Sequence, residues 1–154
     1  MLQCACCKVV CYSVADWAWS PSDKRFTSRY YVLNEGNLTS WRSKKQKTIA
    51  ISSVEAKYRA MAAAAFEITW LKQLLQQIKF GGIQHTKLLC DNESALHIAS
   101  NPIFHEWTNH IEIDCHFVRE KVLRRNHHWV CQLQRSTGRL AHKIPQGLSY
   151  WWYL

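Results

Sequence analysis

Residues 52–79 read "SSVEAKYRAMAAAAFEITWLKQLLQQIK". Alanines, leucines and a tryptophan recur there at helical spacing, so a long amphipathic helix is expected from Ser53 to about Lys79. Tyr58, Met61, Trp70 and Leu74 form its expected core side, and the "GG" at 81–82 ends it. One residue stands out near its start. Lys57 sits where the surrounding stretch is arranged around an acid, and its meaning depends on what the helix packs against.

On the N-terminal side, residues 8–19 read as a buried strand running into a turn at "SPSD". "RYYVLNEGNLTSW" (29–41) is a hairpin of two apolar strands around "NEGN". "KTIAIS" (47–52) is a third short strand. On the C-terminal side, "TKLLCD" (86–91) is a short apolar strand, and "NESALHIAS" (92–100) begins a helix directly after it. "HIEIDCHFVREKVLRR" (110–125) is a further helix with a basic end. This order describes an α/β fold, a mixed sheet with helices on its faces. The tail "NHHWVCQLQRSTGRLAHKIPQGLSYWWYL" (126–154) shows no clear period.

The bulk properties narrow the function. A chain of 154 residues, 47% hydrophobic with three prolines, suits one globular domain. No apolar run reaches the roughly 18 residues of a membrane span, and no targeting signal is evident at "MLQCACCKVVCY". A net charge of +9 favours an acidic partner, nucleic acid first. The seven cysteines form no paired framework, so reduced thiols and a cytoplasmic or nuclear location are expected.

Two places could carry chemistry. Asp91 closes a predicted central strand just before a helix, the edge of an open α/β sheet where ligands gather. A carboxylate there could hold a divalent metal, or simply cap the helix. "WRSKKQK" (41–47) places Arg42, Lys44, Lys45 and Lys47 beside Trp41 in one stretch between strands. Such a run could grip phosphates while the indole stacks, or be a solvated loop.

Three stretches, "CYSVADWAWSPSDKRFTSRYYV" (11–32), "SWRSKKQKTIAISSVEAKYRAMAAAAFEITWL" (40–71) and "LLCDNESALHIASNPIFHEWTNHIEIDCHFVRE" (88–120), share one resemblance. Together they resemble the ribonuclease H domain at the end of plant copia-type retrotransposon Pol polyproteins, over about residues 11–122. The resemblance implies a ribonuclease H-like mixed five-stranded sheet flanked by helices. It implies fusion after a reverse transcriptase, an RNA–DNA hybrid or other nucleic acid as partner, and no membrane. It also implies Mg²⁺ or Mn²⁺ as cofactor, two ions held by four carboxylates that hydrolyse the RNA strand.

Those acids carry over unevenly. The family's first acid, the Asp of a "YSDADW"-like strand, falls on Val14 here. The second, the Glu of "EAEY", falls on Lys57, which is what makes that lysine conspicuous. The third is retained as Asp91. The fourth, in a "QLAD" segment near the end, is missing.

A frameshift near residues 122–126 is the expected cause of that last loss. Read one nucleotide later from about Asn126, synonymous codons permit Ile-Ile-Thr-Gly-Tyr-Val-Asn-Ser-Asn-Asp-Gln-Leu-Ala-Asp-Trp-Leu-Thr-Lys, the family's closing pattern. The lost Asp would then span the codons of Arg139 and Leu140. The expected domain is therefore 8–125, with an atypical tail over 126–154 and a disrupted C-terminal part of the fold.

Neighbouring acids replace the lost ones badly. Asp16 shares the strand face of Val14 but lies about 6–7 Å further along, a weak metal candidate. Glu55 is roughly 200° round the helix from Lys57 and points away. Lys57 is expected to pair with Asp91 and fill the space meant for metal. The expected chain is a ribonuclease H-like pseudoenzyme. A non-catalytic nucleic-acid-binding module and a nuclease still active through Asp91 and Asp16 are the alternatives.

Overall fold

The computed structural model describes residues 7–17, 25–79, 83–100, 112–123 and 129–133. Its strands are β1 (Cys7–Asp16), β2 (Arg25–Asn34), β3 (Asn37–Ile49), β4 (Ile83–Cys90) and β5 (Trp129–Leu133). Its helices are α1 (Ser53–Gln77), α2 (Glu93–Ser100) and α3 (Glu112–Leu123). The strands form one mixed sheet in the order β3-β2-β1-β4-β5. β1, β2 and β3 are antiparallel neighbours, while β4 runs parallel to both β1 and β5.

The hairpin expected at "NEGN" is present. Asn34 and Asn37 face each other, and Glu35 (φ 51°) and Gly36 (φ 84°) between them both take positive φ. That is the backbone a two-residue type I′ connection requires, and its twist matches the strands it joins.

β3 differs from expectation. It runs unbroken from Asn37 to Ile49, so "WRSKKQK" lies within a strand and the start of "KTIAIS" is only that strand's end. As an edge strand, β3 is exposed at nearly every position from Trp41 to Ile49. Apolar alternation, the usual sign of a strand, is therefore missing there. Charged side chains on an edge also block pairing with another sheet.

α1 begins with a reciprocal cap. Ser52 Oγ accepts from Glu55 N at 3.1 Å, and Glu55 Oε2 accepts from Ile51 N at 2.8 Å. Two otherwise unpaired donors are thereby satisfied. The helix ends at Gln77, with Lys79 in the left-handed region (φ 53°) and donating to Gln76 O at 3.1 Å. The "GG" expected to end it lies outside the described residues, as does "SPSD".

The sheet is flanked by helices as expected, and the three described helices share one core with it. Tyr58, Met61, Ala65 and Ile68 of α1, Ala95 and Ala99 of α2 and Val118 of α3 join Val9, Cys11, Val32 and Leu88 of the strands in one core. Burying each large apolar side chain there contributes about 1.5–3 kcal/mol. Trp70 and Leu74, expected in this core, are instead 56% and 37% exposed. The buried stripe runs through Ile68, Leu71 and Leu75, which places residues 70 and 74 on the far side of the helix. On the opposite face of the sheet, the rings of Tyr12 and Tyr31 stack with centroids 4.6 Å apart.

β5 pairs with β4 from Thr86↔Trp129 to Cys90↔Leu133, so a fifth strand of five residues closes the sheet inside the atypical tail. The rest of 126–154 lies outside the described residues.

Candidate active site

The topology brings three of the positions singled out above to one edge. β1 and β4 are parallel neighbours, and their last registered pair is Ser13↔Cys90. Val14 and Asp91 each stand one residue further on, Val14 still within β1 and Asp91 just past the end of β4. The cap at Ser52 fixes where α1 starts, and Lys57 follows on its second turn.

Lys57 Nζ donates to Asp91 Oδ2 at 3.0 Å, with the two side chains 20% and 17% exposed. At an effective dielectric of about 20 this attraction is roughly 5 kcal/mol, much of it offset by the desolvation of both groups. The other carboxylate oxygen, Asp91 Oδ1, is buried with no hydrogen-bond partner. Capping, the bland role for Asp91, belongs to the next residue: Ala95 N donates to Asn92 Oδ1 at 2.8 Å. Among the described residues, the partner of the Asp91 carboxylate is thus the lysine. Beside it, burial pushes the Cys90 thiol up from its ordinary value.

The other acids are engaged elsewhere. Asp16 pairs with Arg29 Nη1. Arg29 stands directly opposite Val14 on β2, and its Nε donates to Ser43 Oγ at 3.4 Å. Glu55 turns away from Asp91, accepting from Ile51 and pairing with Arg59 Nη2 at 2.8 Å. Nothing in the sequence pattern singled out Arg29; only the strand register shows that it faces Val14. Among the described residues no group of three or more His, Cys, Asp or Glu side chains could hold a metal ion.

The basic run occupies the far edge of the sheet. Arg42, Lys44, Lys45 and Lys47 are all exposed on β3. Arg42 and Lys44 lie opposite Tyr30 and Ser28, whereas Trp41 and Lys45 lie opposite Tyr31 and Thr27. Strand alternation therefore divides the charges between two faces of one edge. Trp41, 59% exposed, offers its ring on the face of Lys45.

No family model matches the chain. Among curated proteins, it is 41% identical over 114 residues to the retrovirus-related Pol polyprotein from transposon RE1 of Arabidopsis thaliana, a match covering 72% of this chain. The one from transposon TNT 1-94 of Nicotiana tabacum is 33% identical over 111 residues. The chain spans about 8% of the length of these relatives. Among solved structures, LC11-RNase H1 in complex with an RNA/DNA hybrid superimposes with a TM-score of 0.60 at 8% identity, over 86% of this chain and 88% of that one. That likeness concerns the fold, a mixed sheet with its helices, and the relatives supply the lineage. No described helix is long and apolar enough to cross a membrane. The chain is a ribonuclease H-like domain and belongs to the family of retrovirus-related Pol polyproteins of plant copia-type transposons.

Proposed function

We propose that this domain descends from a metal-dependent ribonuclease acting on RNA–DNA hybrids, no longer cleaves, and still holds nucleic acid along its basic edge strand. The observation that carries the loss is the 3.0 Å contact between Lys57 Nζ and Asp91 Oδ2. The residues at this edge do not fit Mg²⁺ or Mn²⁺, which take oxygen donors and favour negatively charged sites. Val14 offers no donor, Lys57 brings a positive charge, and one oxygen of Asp91 is occupied. Asp16, the only nearby acid on β1, is neutralised by Arg29. A cation arriving at Asp91 would meet one carboxylate oxygen without a hydrogen-bond partner and the Lys57 ammonium on the other.

Binding without cleavage is supported by Arg42, Lys44, Lys45, Lys47 and exposed Trp41 on one free sheet edge. Phosphate contacts need exposed cations, and an accessible ring can stack on a base. The ancestral place of such a domain is behind a reverse transcriptase in a longer polyprotein. A nucleic-acid partner and free thiols at Cys11 and Cys90 favour the cytoplasm or nucleus.

A labelled RNA–DNA hybrid tests both halves together. Its anisotropy should rise with added protein in EDTA, and its RNA strand should stay full length in Mg²⁺ or Mn²⁺. Shortening of the RNA that Asp91→Asn abolishes would reject the loss of activity. Absence of binding even at low salt would remove the nucleic-acid role.

A further inference from the structure

The two faces of β3 are not equivalent. On the side towards α1 the strand is fastened at both ends. Ser40 Oγ donates to Glu67 Oε1 at 2.7 Å, and Tyr30 OH on β2 donates to Glu67 Oε2 at 3.1 Å. Nearer the end of the strand, Arg59 Nη1 donates to Thr48 Oγ1 at 2.9 Å and Gln46 Nε2 to Ser28 Oγ at 2.6 Å. Arg42 and Lys44 belong to this same side, since they face Tyr30 and Ser28 in register. The Glu67 carboxylate therefore shares this face with its cations and repels a phosphate that approaches them.

The opposite face carries Trp41, Ser43 and Lys45, which face Tyr31, Arg29 and Thr27. Lys47 falls on it as well, standing between Gln46 and Thr48, which both bond on the α1 side. Asp16, the acid opposite Thr27 on β1, is paired with Arg29. Phosphate thus meets less opposition here than on the α1 side.

Two features of that face select the form of nucleic acid. Its exposed lysines, Lys45 and Lys47, form one row about 7 Å apart along one strand. Among the described residues, the strands further in offer Thr27 and Tyr31, then Val14 and Asp16, with Arg29 committed to Asp16. One row of cations follows one phosphate backbone, whereas a duplex presents two, separated by a groove of roughly 6–12 Å. Trp41, 59% exposed at the start of the row, offers an open ring. Inside a duplex the base faces are covered by their neighbours, but an unpaired base can lie flat on an indole.

Taking the nucleic-acid reading above as its basis, we propose that the face of β3 bearing Trp41, Lys45 and Lys47 binds single-stranded nucleic acid in preference to the hybrid duplex. A base stacks on Trp41 and phosphates meet the two lysines. From residue 41 to residue 47 the strand runs about 20 Å. That length suits the lower end of the roughly 4–16 nucleotides that a single-strand-binding sheet holds.

A labelled oligouridine of about twelve nucleotides, and the hybrid it forms with its complementary DNA strand, test this on the full chain by fluorescence anisotropy in EDTA at low salt. The single strand should bind at least about tenfold more tightly than the hybrid. Trp41→Ala should weaken single-strand binding about tenfold and cost the hybrid less, and a circular-dichroism melt would verify that the fold persists. Lys45→Gln should cost the single strand more than Lys44→Gln, which stands on the other face. Three results would overturn the single-strand preference while leaving a nucleic-acid role standing: hybrid binding as tight as single-strand binding, an unchanged single-strand affinity in Trp41→Ala, or as large a loss for Lys44→Gln as for Lys45→Gln. Binding of neither probe would overturn both.

Discussion

Lys57 donates to one oxygen of Asp91 at 3.0 Å while the other oxygen of the same carboxylate is buried without a partner. On the function proposed above, this cation closes a position once arranged for negative charge and pairs with the carboxylate in place of a metal. Removing the lysine without supplying another cation therefore leaves a buried acid exposed to its own desolvation cost. Lys57→Met should destabilise the fold by about 1–3 kcal/mol in urea denaturation, and Asp91→Asn in the Lys57→Met background should recover part of that loss. An unchanged midpoint for Lys57→Met would show that the pair contributes nothing.

The two apolar stripes of α1 differ sharply in what they do for stability. Met61 is fully buried, so Met61→Ala should cost about 2–5 kcal/mol. Trp70 is 56% exposed, so Trp70→Gln should stay within about 0.5 kcal/mol. Equal losses for the two variants would place Trp70 in the core after all.

The start of α1 rests on its cap. Ser52→Ala removes the acceptor for Glu55 N and should cost about 1 kcal/mol, measured by thermal or urea unfolding. Ser52→Asp should retain most of the stability, because a carboxylate caps and also favours the positive end of the helix. A loss as large for Ser52→Asp as for Ser52→Ala would argue against the capping role.

Alkali should unfold the domain through its tyrosines. Burial first, and then the nearby charge of Glu67, push Tyr30 up to about 12, and burial raises Tyr31 as well. A raised folded-state value means the native state holds its proton longer than the unfolded chain, whose tyrosines ionise near 10. The stability these groups contribute is complete below about pH 10 and is lost as pH rises from there towards about 12. Tyr30→Phe should flatten part of that decline in pH-dependent denaturation curves. A stability that rises across this window would contradict the assignment.

Nucleic-acid binding by β3 should be strongly salt-dependent. Each phosphate contact contributes about 0.9 to the slope of log affinity against log salt for duplex DNA. Replacing Lys44 and Lys45 with Gln should lower that slope by up to about 2 if both make contacts. A slope near zero for the unaltered chain would rule out a phosphate-binding edge.

Much of this architecture could be read in the residues themselves. The "NEGN" turn, the helix after Ser52 and the strand ending at Asp91 are set by local chemistry: positive φ in a turn, a capping side chain, a short apolar run. The pairing of Lys57 with Asp91 also followed once their positions on one sheet edge were known. β3 was less legible because a strand exposed along both faces of an edge has no apolar alternation to betray it. Trp70 and Leu74 misled for the opposite reason. Their spacing is helical and apolar, and hydrophobicity alone cannot say which of two apolar stripes faces the sheet. The grip of Arg29 on Asp16 depends on strand register, which emerges only when residues 13 positions apart are brought side by side.

If the lysine has replaced the metal, the chain as it stands should not take up a divalent ion. Titration of Mn²⁺ into the chain, followed by calorimetry alongside the Val14→Asp, Lys57→Glu variant, addresses this directly. No binding at millimolar metal is expected for the chain itself, and measurable binding is expected once both acids are returned beside Asp91. Mn²⁺ uptake by the unaltered chain that Asp91→Asn eliminates would contradict the account, because the ion pair would then have left the metal position open.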